Sequence, residues 1–293
     1  MSVIAIENDE LVVKVKTKGA ELCGIYSKAL DREFMWQPGH ELWAHSSLTL
    51  FPNVARVKND RSIIGGKIYP QRMQGFAKDM EFEVVKQKKD RLVLALKANA
   101  ETLESFPFEF TLKIDFKLEG DVLKETFIVK NKDSKEFSFG IGSHPGFYMP
   151  LELGEKAEDY VLKFASRQTL VRNITQKPTM LRTSNTEVLL NDADELPLYG
   201  DIFNDGALLI DGINTDSVTL LSKKSGRFVE VGIKGFTHIC FWGNPVNPYL
   251  CCIEPWCSTS DHVNSNQVWD DRPGNVKLPA GESFERTLTF RVG

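Results

Sequence analysis

The stretch Phe108–Leu118, FEFTLKIDFKL, alternates without a break. Phe108, Phe110, Leu112, Ile114, Phe116 and Leu118 share one face, and Glu109, Thr111, Lys113, Asp115 and Lys117 share the other. Such alternation fits a strand of an antiparallel sheet with one buried and one wetted face, and it fits no helix. A turn at Glu119–Gly120–Asp121 and a returning strand VLKETFIVKN predict a hairpin. LVVKVK (11–16), RLVLALKA (91–98), SVTLLSKKSGRFVEVGI (217–233) and ERTLTFRV (285–292) read the same way. No long window sustains a 3.6-residue period, and turn clusters recur at short intervals, as in a sandwich or barrel of many short strands. The region from Arg172 to Asp216, rich in Asn, Asp, Thr and Pro, reads as a long loop packed on the sheets. No linker, repeat or low-complexity segment interrupts the chain, so residues 1–293 are expected to form a single all-β domain.

Charge and cysteine usage remove several function classes. A net charge of −4 argues against nucleic acid as a partner, because phosphate neutralisation needs a basic face. The densest basic run, KQKK at 86–89, reads as a solvated hairpin turn. The N-terminus lacks the basic and apolar regions of a signal peptide. No apolar run is long enough for a membrane helix, so a cytoplasmic protein, monomer or homodimer, is expected. The five cysteines form no paired C-x-x-C motifs, which leaves buried reduced thiols as the reading and no zinc site. Cys251 and Cys252, adjacent on a strand, should point to opposite faces. Asn173–Ile174–Thr175 matches a glycosylation acceptor, which has no meaning without secretion.

Nucleotide and metal motifs are missing. There is no G-x-G-x-x-G, P-loop, G-x-S-x-G or H-E-x-x-H. His40–Glu41 with His45 comes near the last, but a spacing of five sets the two imidazoles about 140° apart on a helix. What remains is acid–base chemistry by side chains. Polar groups sit among aromatic, strand-like surroundings in SHPGFY (143–148), in CIEPW (252–256), and in LFPNVAR (50–56) leading to QGFAKD (74–79). Proline after each of His144 and Glu254 predicts strand ends or bulges there, from which a side chain can project into a cleft. A lone sheet histidine is more often structural. A carboxylate inside an apolar strand is costly unless it has a partner or a job, and Arg56 is one candidate partner. Nearby Trp and Phe offer flat apolar surface that suits the C–H face of a sugar.

Taken in order, LFPNVAR, QGFAKDMEFEV, SHPGFYMPL, CCIEPW and KLPAGESFERTLTF resemble the aldose 1-epimerase (galactose mutarotase) family, best its shorter bacterial branch. Trp36 and Trp43 fit the same pattern, and the resemblance runs from about Val12 to Phe290. It implies a β-supersandwich with a sugar site in an open cleft, no cofactor and no metal. It also implies exchange of hexose anomers by ring opening, with Glu254 as base and His144 as the acid donating to the ring oxygen. The two are expected to flank the pyranose from opposite sides. Arg56 is implied to bind sugar hydroxyls, and Gln74, Lys78, Asp205 and Trp256 complete the implied substrate-binding set.

The chain departs from the family pattern in places. Where the family usually has HGFAR, this sequence reads Gln74–Gly75–Phe76–Ala77–Lys78. Gln74 can donate and accept hydrogen bonds but cannot carry charge. Lys78 keeps a charge without the guanidinium fork. Asp205 lies one residue early, a shift that a local bulge would restore. His238 and His262 are expected to be structural or rim residues. Two other readings stand beside the mutarotase: a hexose-phosphate epimerase, and a carbohydrate-binding or sensing protein that has shed catalysis.

Overall fold

The computed structural model describes residues 2–38, 43–199, 201–243 and 250–293. The strongest alternating stretches form strands where they were expected. Phe110–Glu119 alternates between buried and half-buried positions and pairs residue for residue with Val122–Asn131. Leu11–Lys16, Arg91–Lys97, Ser217–Ser222, Phe228–Gly232 and Ser283–Val292 are the other expected strands. The only α-helix among the described residues is the short turn Ala100–Leu103.

Most strands belong to one long antiparallel sheet. It runs from Ser47–Leu50 through Ile141–Tyr148, Leu250–Cys257, His238–Gly243 and Leu208–Asp211 to the long strand Tyr160–Gln176. Beyond that strand it continues through the 217–222, 228–232, 283–292, 122–131, 110–119 and 91–97 strands and ends at Glu83–Lys88. Tyr160–Gln176 joins the two halves: its start pairs with Ser217–Ser222 and its far end with Leu209 and Ile210. The halves face each other as a β-sandwich. Phe147 of the first half packs on Phe290 of the second, with ring centroids 6.3 Å apart. Phe51 sits 5.0 Å from Phe110, and Phe139 sits 5.5 Å from Phe284. A smaller four-stranded sheet covers residues 3–33.

Three expectations are corrected. Residues 172–216 are not a packed loop. Tyr160–Gln176 and Leu181–Pro197 make a long hairpin, followed by the strand Leu208–Asp211. Most of the outer length of this hairpin lacks buried alternation, because an exposed two-stranded ribbon has little core to face. The basic run at 86–89 is mostly strand, with Lys86–Lys88 closing Glu83–Lys88 and the turn falling at Lys89–Asp90. Finally, neither proline ends its strand. Ile141–Tyr148 runs through His144–Pro145, and Leu250–Cys257 runs through Glu254–Pro255.

Candidate active site

The two prolines explain how His144 and Glu254 meet. The strands carrying them pair at Gly142 with Trp256 and again at Gly146 with Cys252, in one unbroken register. That register sets His144 directly across from Glu254. Between the paired positions the ladder opens, since Pro145 and Pro255 have no N–H to give. Residues opposite one another in a sheet point to the same face. Glu254 is in turn paired with Cys240, Cys240 with Leu209, and His144 with Leu48. The sheet thus lays Leu48, His144, Glu254, Cys240 and Leu209 in one row on the face away from the sandwich interior.

His144 Nε2 lies 3.2 Å from Glu254 Oε2. His144 is 8% exposed and Glu254 is 1% exposed. Burial pushes the Glu254 carboxyl well above the usual carboxylate range, a contact with Cys240 offsetting little of this. Burial likewise holds the His144 imidazole down, to about 3. Both shifts favour the uncharged forms, a protonated carboxyl on Glu254 and a neutral imidazole on His144. Among the described residues, Glu254 Oε2 and His144 Nδ1 have no hydrogen-bond partner, nor have the buried Nε of Arg56 and Nε1 of Trp256. Arg56 is therefore not the structural partner of Glu254; its guanidinium lies 3.8 Å from Asp60.

All four of these residues line one cavity of about 400 Å³. The indole of Trp43 stacks on the His144 ring, centroids 4.7 Å apart, and Trp242 meets the same ring edge-on at 6.0 Å. Glycine is required two residues to either side of His144. A Cβ at Gly142 would stand 2.6 Å from Trp256, and one at Gly146 would stand 2.8 Å from Trp43. Thr175, from the end of the strand Tyr160–Gln176, and Lys177 and Met180, from the turn after it, also line the cavity. Buried Arg182 fastens that turn, donating from Nε to the Ser260 carbonyl at 2.7 Å and pairing with Asp211 at 2.9 Å.

Of the residues singled out in the sequence, Glu254, His144, Arg56, Gln74, Asp205 and Trp256 all line the cavity. Asp205 reaches the rim from a turn at 201–205 and faces Lys177 at 3.3 Å. Lys78 is not brought in: it sits in the short turn Ala77–Asp79 with its ammonium 2.7 Å from Asp79. His144 and Glu254 do not face each other across a space wide enough for a sugar ring; they adjoin on one wall. His238 pairs with Thr237 and Asp211 beneath the rim, and His262 contacts Asn264 and Ser184. The near-motif residues His40 and Glu41 lie outside the described residues, while His45 stands 3.8 Å from Glu21. All five cysteines are reduced and buried. Cys251 joins the sandwich core, and Cys252 packs on the other face with Trp36 and Leu250. His144, Glu254 and Cys252 have metal-ligand atoms within 4.8 Å of one another, and burial pushes the Cys252 thiol up.

Lys177 and its neighbours escaped sequence reasoning because their segment read as a loop. Cys240 and Trp242 became visible only through the register that sets them beside Glu254 and Cys252.

The aldose 1-epimerase family matches residues 2–291. Protein LacX of Lactococcus lactis subsp. lactis is 28% identical over 296 residues, covering 99% of each chain. The structure of a galactose mutarotase related enzyme from Lactobacillus acidophilus is 30% identical and superposes with a TM-score of 0.94, covering 100% of this chain and 97% of the other. A galactose mutarotase-like protein from Lactobacillus casei is 27% identical, with a TM-score of 0.92 and 100% of both chains covered. With the matched family spanning nearly every residue and the same sandwich in its relatives, this chain belongs to the aldose 1-epimerase family.

Proposed function

We propose that the protein is an aldose mutarotase that interconverts the α and β anomers of a free hexose. Family membership supports a carbohydrate epimerase role in general. The observation that carries the finer reading is the contact of His144 with Glu254, 3.2 Å apart and buried at the wall of an aromatic cavity.

Ring opening moves two protons at neighbouring atoms. The anomeric hydroxyl must lose one as the bond from C1 to the ring oxygen breaks, and the ring oxygen must gain one. Both oxygens are bonded to the same carbon, so an acid and a base standing side by side can serve both. Glu254 takes the hydroxyl proton and His144 gives one to the ring oxygen, leaving an open-chain aldehyde. Rotation about the C1–C2 bond and closure with the roles reversed yields the other anomer, and the pair regains its starting protonation. The ion-pair form that starts this cycle is reached by moving one proton from Glu254 to His144. A sugar hydroxyl donating to Glu254 favours that form, because hydrogen bonds to a carboxylate stabilise its charge. Positioned acid–base groups of this kind supply about 10²–10⁴-fold.

The four unpartnered polar atoms, on Glu254, His144, Arg56 and Trp256, suit a ligand with many hydroxyls. Trp43, Trp242 and Trp256 offer apolar faces for its C–H surface. Lys177 gives the phosphorylated-sugar reading one more cation at the rim, but its ammonium already faces Asp205, which favours an uncharged sugar. Saturation-transfer NMR between anomers, run across several aldoses and their phosphates, tests the proposal. Exchange well above the buffer rate is expected for at least one free hexose and is expected to fall about 10²-fold or more in Glu254→Gln. Equal rates for the wild type and the variant would dismiss it.

A further inference from the structure

We infer that Gln74 is a positioning residue that holds the backbone presenting Arg56 to the cavity, acting as a hydrogen-bond acceptor; the functional part of this inference rests on the sugar-site reading. A backbone N–H can be met only by an acceptor, so its contact fixes which way the Gln74 amide points. The Ala55 N–H donates to Gln74 Oε1 at 2.6 Å, and the Gln74 N–H donates back to the Ala55 carbonyl at 3.0 Å. The residue just before Arg56 is thereby bonded at both of its backbone groups by one residue, itself only 5% exposed. Ala55 and Gln74 both hold positive φ, at 50° and 65°. Residues with a Cβ adopt that conformation only when their surroundings impose it. Gly75 makes the close approach possible, since a Cβ there would lie 2.2 Å from the Phe51 carbonyl oxygen.

The other side of the segment is held as firmly. The Asp261 N–H donates to the Arg56 carbonyl at 2.9 Å, and Asp261 Oδ2 accepts from the Lys58 N–H at 2.8 Å. Asp261 is itself gripped by Arg272 at 2.6 Å, with both side chains 2% exposed, and Arg272 also donates to the Val54 carbonyl at 3.3 Å. Arg56 thus projects from a backbone clamped between Gln74 and the Asp261–Arg272 pair, with its Nε left unpartnered. The Gln74 amide oxygen is engaged in that clamp and the side chain has no titratable proton.

The test compares Gln74→Met, which removes the acceptor at similar length, with Gln74→Glu, which keeps an acceptor oxygen of the same reach. Amide hydrogen exchange at Ala55 reads the clamp without any sugar. Exchange is expected to be at least about tenfold faster in Gln74→Met than in the wild type, and slow again in Gln74→Glu. With the sugar that the wild type turns over, Gln74→Met is expected to raise KM about tenfold, with the loss falling on KM rather than kcat. Gln74→Glu should recover most of that loss. In the Arg56→Ala background the Gln74→Met change should cost little more, because its effect passes through Arg56. Unchanged Ala55 exchange in Gln74→Met overturns the clamp, as would full additivity with Arg56→Ala. Gln74→Glu binding sugar as poorly as Gln74→Met, with Ala55 still protected, would make the amide N–H₂ a direct ligand instead. If no sugar binds the wild type, the sugar-site reading fails while Ala55 exchange still decides whether the clamp exists.

Discussion

At the scale of single residues, burial decides the chemistry of the His144–Glu254 pair. It moves the two groups in opposite directions, Glu254 up and His144 down to about 3. The pair therefore holds a single proton over a wide range. Below His144's value it holds two and has no base; above Glu254's value it holds none and has no acid. The enzymatic rate, corrected for the buffer reaction, is accordingly expected to show no break at the ordinary imidazole value near 6.5. A pH–rate profile breaking at that value would contradict the assignment. Glu125 lies on the opposite side of the His144 strand, inside the sandwich, and burial raises its carboxyl to about 8, with one long hydrogen bond from Ser143 at 3.5 Å. A folded value above the unfolded one means stability fully present below about pH 4.5 and lost as pH rises through 8. Glu125→Gln should abolish that loss, so its melting temperature should gain on the wild type by about 5 °C between pH 5 and 8. A constant gap across that range would show that Glu125 does not titrate there. The sequence made Glu254 conspicuous as a carboxylate in an apolar strand. Glu125 went unnoticed, although alternation in VLKETFIVKN sets it on the buried face with Leu123, Phe127 and Val129.

At the scale of elements, alternation was a sound guide wherever one face meets the core, as in Phe110–Glu119 and its partner. It was silent for the long hairpin 160–197, whose outer part is half-buried or exposed without alternation, so Thr175 and Lys177 were not read as site residues. The prolines misled for a physical reason. Proline forbids one donor, and two prolines set diagonally across neighbouring strands, Pro145 opposite Ile253 and Pro255 opposite Ser143, forgo adjacent rungs of one ladder, which a strand can lose without ending. That opened stretch, flanked by Gly142 and Gly146, is where His144 and Glu254 are seated. Gly146→Val should displace Trp43 from the His144 ring, costing about 1–3 kcal/mol of stability and lowering the anomerisation rate. Thermal melts together with quenching of tryptophan fluorescence by sugar would check this. Unchanged rate and unchanged quenching would mean that Trp43 does not shape the site.

At the scale of the whole molecule, one apolar core runs through both halves of the long sheet and includes residues of the small N-terminal sheet, such as Val13 and Val15. On this continuity we propose that the chain unfolds as a single domain. Heating should then give one transition, seen alike by far-UV circular dichroism and by tryptophan emission; two separated transitions would point to independent units. The sandwich was legible from periodicity and the family from the ordered motifs. The contact of His144 with Glu254 was not, since the pairing of residues 144 and 254 is set by a register between strands about a hundred residues apart in sequence. The most direct measurement is anomer exchange by NMR in Glu254→Gln, His144→Asn and the double variant, each checked for folding. If the two groups work as one proton-sharing unit, each single change costs nearly as much as both together. A double variant as slow as the product of two independent losses, or a His144→Asn variant as fast as the wild type, would contradict it.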